Sequence, residues 1–215
     1  MRKTLIKRNY ILSDTDLIAT SKEKSSLLKR DAVEFSEFGV DATEIAAFDT
    51  EIEDFSDIPQ DHIVVALQMG TTDLKNDKAE EVRVAIRSVM ARVQLRYGVN
   101  SAVYKKFGTE KLAQLGDADL YLLGKTVAFI GREYLTELSG QGLTVAILDE
   151  LEAICSAFEK MLINQKVAIG NRTILQENRI LSGNALYKKL MNFLNIGLRI
   201  WETTSEAKAN DYTID

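Results

Sequence analysis

Proline is almost missing from this 215-residue chain: Pro59 is the only one. A β-rich or loop-rich fold of such length punctuates its turns with more of them, so the scarcity points to helices. Cysteine and histidine also occur once each, as Cys155 and His62. One cysteine excludes an intrachain disulfide and suits a reducing compartment. One cysteine and one histidine are too few for a zinc site. Di-iron bundles need a Glu-x-x-His pair on each of two helices. Here the residue three before His62 is Pro59. No G-x-S-x-G elbow and no G-x-x-x-x-G-K-[ST] phosphate loop is present.

Two further absences bound the class. No stretch approaches the roughly 18 uncharged apolar residues of a membrane span. The basic start "MRKTLIKRNYILSDTD" has its apolar residues interrupted by Lys7, Arg8 and Asn9, unlike a secretory signal. A cytoplasmic protein with no membrane contact is expected. The net charge of −5 offers nucleic acid no global attraction.

What is present is helical periodicity. A first helix is expected from about Asp16 to Phe38, capped by Asp14 or Thr15 and ended by Gly39. A second begins near Asp41 with Ile45, Phe48, Ile52 and Phe55 as its stripe, and Pro59 breaks it. Pattern resumes at Ile63 and stops at Gly70. A third helix, Lys78 to Tyr97, carries Val82, Ile86, Val89 and Val93. In the second half, Asp117 caps a helix that runs to Leu138. The next spans Leu143 to Ile169 and is apolar on most of its circumference, as an enclosed helix would be. Gly170 ends it; after an irregular 170–182 segment, Ser182 caps the last helix, with Leu186, Leu190, Phe193, Leu194 and Trp201. A polar tail from Thr203 is expected to fray.

The halves match one another. "DTDL" at 14–17 answers "DADL" at 117–120, "EIAAFD" at 44–49 answers "TVAILD" at 144–149, and Gly70 answers Gly170. The third helices align Val82, Ile86, Val89 and Met90 with Leu186, Leu190, Phe193 and Leu194. The expected fold is an all-α, elongated bundle of six main helices. It is built as two similar up-down-up units, 1–98 and 117–202, joined by a junction at 99–116 and followed by the tail 203–215.

The junction contains "YGVNSAVYKKFG", residues 97–108. Gly98 and Gly108 supply left-handed turns, and Asn100 or Ser101 caps a short helix between them. Tyr104 and Phe107 share a face that packs on the bundle, while Lys105 and Lys106 point outward. The sequence resembles a helix–junction–"D-x-D-L" helix arrangement in uncharacterised bacterial all-helical proteins. The resemblance covers about residues 82–123, implies a helical bundle and supplies no function.

Small residues Gly124, Ala128 and Gly131 lie on one side of their helix and permit close packing. Charge is segregated: between Asp31 and Leu74 there are twelve acids and no Lys or Arg, while residues 1–30 carry eight basic residues and three acids. Either the N-terminal bases or Arg83, Arg87, Arg92 and Arg96 would balance the acids, with Glu51, Asp54 and Asp57 left over.

These patterns nominate no catalytic residue, metal ligand or cofactor. A non-enzymatic interaction or structural protein is expected, with a protein partner or a second copy on a helical face. The alternative is a small-molecule-binding bundle or enzyme with its site between the two helical units. Nucleic-acid binding through the basic and aromatic 92–111 segment ranks third. The candidate partner-binding residues are Arg92, Arg96, Tyr97, Asn100, Tyr104 and Lys105.

Overall fold

The computed structural model describes residues 6–214. Met1–Leu5 of the basic start and Asp215 of the expected tail lie outside the described residues. Among the described residues there are helices and no strand. Among these residues no helix is long and apolar enough to cross a membrane.

In chain order the helices are α1 (Asp14–Arg30), α2 (Ala32–Ser36), α3 (Ala42–Asp57), α4 (Asp61–Tyr97) and α5 (Ala102–Lys106). After a 3-10 turn at Leu112–Gln114 follow α6 (Asp117–Glu133), α7 (Leu135–Leu138), a second 3-10 turn at Ser139–Gln141, α8 (Val145–Trp201) and α9 (Glu206–Asn210).

Local chemistry sets most of these ends. The Ser13 hydroxyl, rather than Asp14 or Thr15, caps α1 by accepting from the Asp16 amide at 3.0 Å. The expected first helix is divided at Asp31, and Gly39, with φ 79°, turns the chain after α2. Asp41 caps α3 through the Glu44 amide at 2.9 Å. Pro59 stops α3 as expected, and Ile58 before it takes the extended backbone that a following proline imposes. Asp117 is the first residue of α6 and not its cap, a position that Gly116 holds.

The expected stops at Gly70 and Gly170 do not occur. Both glycines sit inside continuous helices, neither has a positive φ, and nothing approaches within 4 Å of a Cβ added at either. An interior glycine costs a helix only about 1 kcal/mol, which the flanking turns readily outweigh. The expected second and third helices of the second half are therefore one helix of 57 residues, α8. Leu162 stands where a shift of 103 residues carries Pro59, so α8 meets no break there.

The chain divides into two compact units, and they are not consecutive halves. One comprises Met1–Ile63 with Arg172–Asp215; the other comprises Val64–Asn171. The boundaries fall inside α4 and α8. In the first unit, Leu17, Phe35, Phe48 and Phe55 pack with Leu186, Leu190 and Phe193. In the second, Val82, Ile86, Val89 and Val93 of α4 pack with Leu120 and Val127 of α6 and Leu148, Leu151 and Phe158 of α8. The third helix of each sequence half thus joins the first two helices of the other half.

Several element ends and caps correspond between the two parts of the chain at offsets of 103 or 104 residues. Moving from Asp14 to Asp117 and from Arg30 to Glu133 carries α1 onto α6 by 103 residues at both ends. The same shift carries the α3 cap Asp41 onto Thr144, which accepts from the Ile147 amide, and left-handed Gly39 onto left-handed Gly142. A shift of 104 carries the α4 end Tyr97 onto the α8 end Trp201, and the α5 cap Ser101 onto the α9 cap Ser205. The expected alignment of "EIAAFD" with "TVAILD", at 100, is out of this register by nearly one turn. Ion pairs follow the exchange: Asp14 meets Arg179 in one unit, and Asp117 meets Lys75 at 2.8 Å in the other.

The described part of the tail does not fray. Tyr212 is buried, its ring 5.4 Å from that of Phe35, and its hydroxyl donates to Asp31 at 2.9 Å. Gly197 leaves the room for it, since an added Cβ there would lie 2.3 Å from the Tyr212 ring. Capping by Ser205 and one buried aromatic outweigh the polarity of the flanking residues.

Candidate functional site

The single cysteine is a packing residue. Cys155 is fully buried on α8, and the missing side chain at Gly124 accommodates its sulfur, which would lie 2.3 Å from an added Cβ. Burial pushes the thiol up to about 11, against nucleophilic use. Gly131 admits Leu148 in the same way, so the small-residue side of α6 serves close packing within one unit. His62 is exposed. Among the described residues no group of three or more His, Cys, Asp or Glu could hold a metal ion.

Four of the acids of α3 are paired within their unit. Lys29 meets Asp49 at 2.6 Å and Lys22 meets Glu53 at 2.9 Å. Lys189 reaches both Glu51 at 2.9 Å and Glu44 at 3.3 Å. Burial lowers the Lys189 ammonium, but its hydrogen bonds to the two glutamates leave it raised overall. The N-terminal Lys22 and Lys29 thus answer part of the acidic segment, and Lys189, which the sequence did not nominate, answers two more of its acids. Arg83 and Arg87 do not; they pair with Glu80 of their own helix. Glu51, expected to be left over, is partnered. Asp54 and Asp57 are exposed and hold no ion pair among the described residues.

The six candidate partner residues lie along the end of α4 and the junction. Arg96, Asn100 and Lys105 are exposed, and Tyr97 packs edge-on to Tyr134 with ring centres 6.1 Å apart. Gly98 and Gly108 have φ of 77° and 68°, and Ser101 caps α5 through the Tyr104 amide. Phe107 is fully buried, and Tyr104 packs against the same core. The stretch is a folded turn, and of the six residues Arg92 belongs to a concave surface.

That surface is a groove of about 740 Å³ in the second unit, between α4 and the first turns of α8. Val84, Ala85, Ile147, Leu151 and Ile154 form its floor, and Val84 is 56% exposed. Asp77, Glu80, Glu81 and Glu150 stand along it. Arg92 closes one end, its guanidinium donating to the Ser88 hydroxyl at 2.8 Å and the Gly142 carbonyl at 3.2 Å. Glu80 is engaged by Arg87 at 2.7 Å and Glu81 by Lys78 at 2.6 Å. Asp77 and Glu150 have no ion-pair partner among the described residues.

Apart from Arg92, the sequence pattern did not reveal this groove. Val84 sits two residues off the buried α4 stripe, and Ile147 and Ile154 are seven apart on α8. The apolar circumference of α8 suggests an enclosed helix, yet Val145 is 48% and Ile163 55% exposed. The useful signal was that excess of apolar positions over the buried stripe. No protein family, curated protein or solved structure matches the chain.

Proposed function

We propose that the chain is a non-enzymatic interaction module, and that its second unit receives a protein segment in the groove between α4 and α8. The observation that carries this reading is a difference between equivalent places. At the positions of Ala85, Ile147 and Ile154, the first unit has Lys189, Glu44 and Glu51, joined by the two ion pairs of Lys189. The first unit's groove, about 580 Å³, carries this charged trio, while the second unit's groove has apolar side chains at all three positions, the mark of an interaction surface. The shared register of 103 and 104 residues supports a duplicated three-helix unit whose third helices have been exchanged. Divergence between copies would then have left binding to one of them.

A small-molecule site is the second reading, because about 740 Å³ falls in the range of ligand pockets. Panning a displayed library of helical peptides against the folded chain separates the two. Enriched peptides that bind saturably, one per chain, support the interaction module. A library that yields no binder, together with a small molecule that protects Ile147 and Ile154 methyls, would favour the second reading.

A further inference from the structure

We infer that the groove of the second unit takes a basic amphipathic helix, with a stripe of apolar residues flanked by lysine or arginine. The inference rests on the interaction reading and names the partner's chemistry.

The α4 side of the groove is long enough to seat a helix. Its α4 wall runs from Asp77 to Arg92, roughly 22 Å at the rise of an α-helix, or about four turns. A helix laid along it presents apolar side chains at successive turns to Val84, Ile147, Leu151 and Ile154, the usual manner of helix-in-groove recognition.

Charge selects the sign of the flanks. Asp77 stands on the α4 side and Glu150 on the α8 side, and neither has an ion-pair partner among the described residues. A cation on each flank of the incoming helix would meet one of them. An acidic flank would instead face two unpaired carboxylates, a repulsive arrangement that rejects the wrong partner. Arg92, already engaged with Ser88 and the Gly142 carbonyl, has no carboxylate partner among the described residues and faces the other end of the bound helix. A carboxylate at that end fixes the orientation.

The first unit supplies an internal control. Its corresponding groove, about 580 Å³, sets Lys188, Lys189, Glu44 and Glu51 beside Ala185 and Met191. Installing its charged trio in the second unit, as Ala85→Lys with Ile147→Glu and Ile154→Glu, recreates that charged lining.

The test is fluorescence anisotropy of a labelled 18-residue helical peptide on the intact chain. The peptide carries leucines at i, i+4, i+7 and i+11 with lysines on both flanks, and a matched peptide carries glutamates there. The lysine peptide is expected to bind at least about tenfold more tightly than its glutamate match, a gap that narrows as salt rises. The trio variant is expected to lose binding by at least about tenfold. Asp77→Asn with Glu150→Gln touches only exposed side chains, keeps the thermal melt, and is expected to weaken the lysine peptide and spare the glutamate one. Equal binding of both peptides, or no binding of the lysine peptide, overturns the inference. So does undiminished binding to the surface-charge variant. If library-derived helices still bind the chain in those cases, the interaction reading stands and only the partner's chemistry has failed.

Discussion

Asp31 shows how much structure a single side chain can organise. It is 1% exposed at the corner between α1 and α2. Arg30 grips it with two hydrogen bonds of 3.0 and 2.7 Å, Lys208 donates at 3.1 Å and Tyr212 at 2.9 Å. The Arg30 hydrogen bonds outweigh burial and, with Lys208 and Tyr212, hold its carboxyl far below the ordinary carboxylate range. A depressed carboxylate contributes stability that is present above its unfolded value near 4 and is lost as pH falls below that value. Asp31→Asn is expected to cost about 1–3 kcal/mol at neutral pH, through loss of charge-assisted bonds at a buried position. It is also expected to flatten the fall in stability below about pH 4, measured by urea unfolding across pH. An unchanged acid slope would show that Asp31 is not the titrating anchor. Cys155, buried and raised to about 11, is expected to resist a thiol reagent until the protein unfolds. Rapid stoichiometric labelling of the native chain would contradict its packing role.

At the scale of elements, the decisive positions are the two glycines that the sequence presents as stops. Gly70→Ala and Gly170→Ala are each expected to stabilise the chain by roughly 0.5–1 kcal/mol, because both lie in open helix interiors without positive φ. A loss of stability in thermal or chemical unfolding would mean that either glycine ends a helix after all. Glycine identity alone does not separate a cap from an interior position, since the backbone conformation is set by the turns on both sides. The proline signal was better: Pro59 removes a donor and constrains Ile58, and α3 ends at Asp57. Ile45, Phe48, Ile52 and Phe55 were legible as a buried stripe because their period matches the helix. The exchange of third helices was not legible. Val82, Ile86 and Val89 specify a face for burial but carry no mark of which half supplies the neighbours. The groove was hidden for a related reason, since Ala85, Ile147 and Ile154 acquire meaning only beside Lys189, Glu44 and Glu51.

For the whole molecule, the segregation of charge along the chain becomes local balance on folding. Lys22, Lys29 and Lys189 answer Glu53, Asp49, Glu44 and Glu51 within one unit. Pairs as exposed as Lys22–Glu53 contribute at most about 1 kcal/mol each. The melting temperature is therefore expected to change little, or to fall slightly, as salt rises from low to moderate concentration. A marked rise would reveal uncompensated repulsion and contradict this balance. The central claim is the proposal that, of the two corresponding grooves, the one without the charged trio takes a partner helix. Methyl NMR of isoleucine- and valine-labelled protein, titrated with the lysine-flanked peptide, tests it most directly. Shifts concentrated at Val84, Ile147 and Ile154, with Ile45 and Ile196 of the first unit unmoved, are the predicted result. Shifts at the first unit with the groove methyls silent would contradict it.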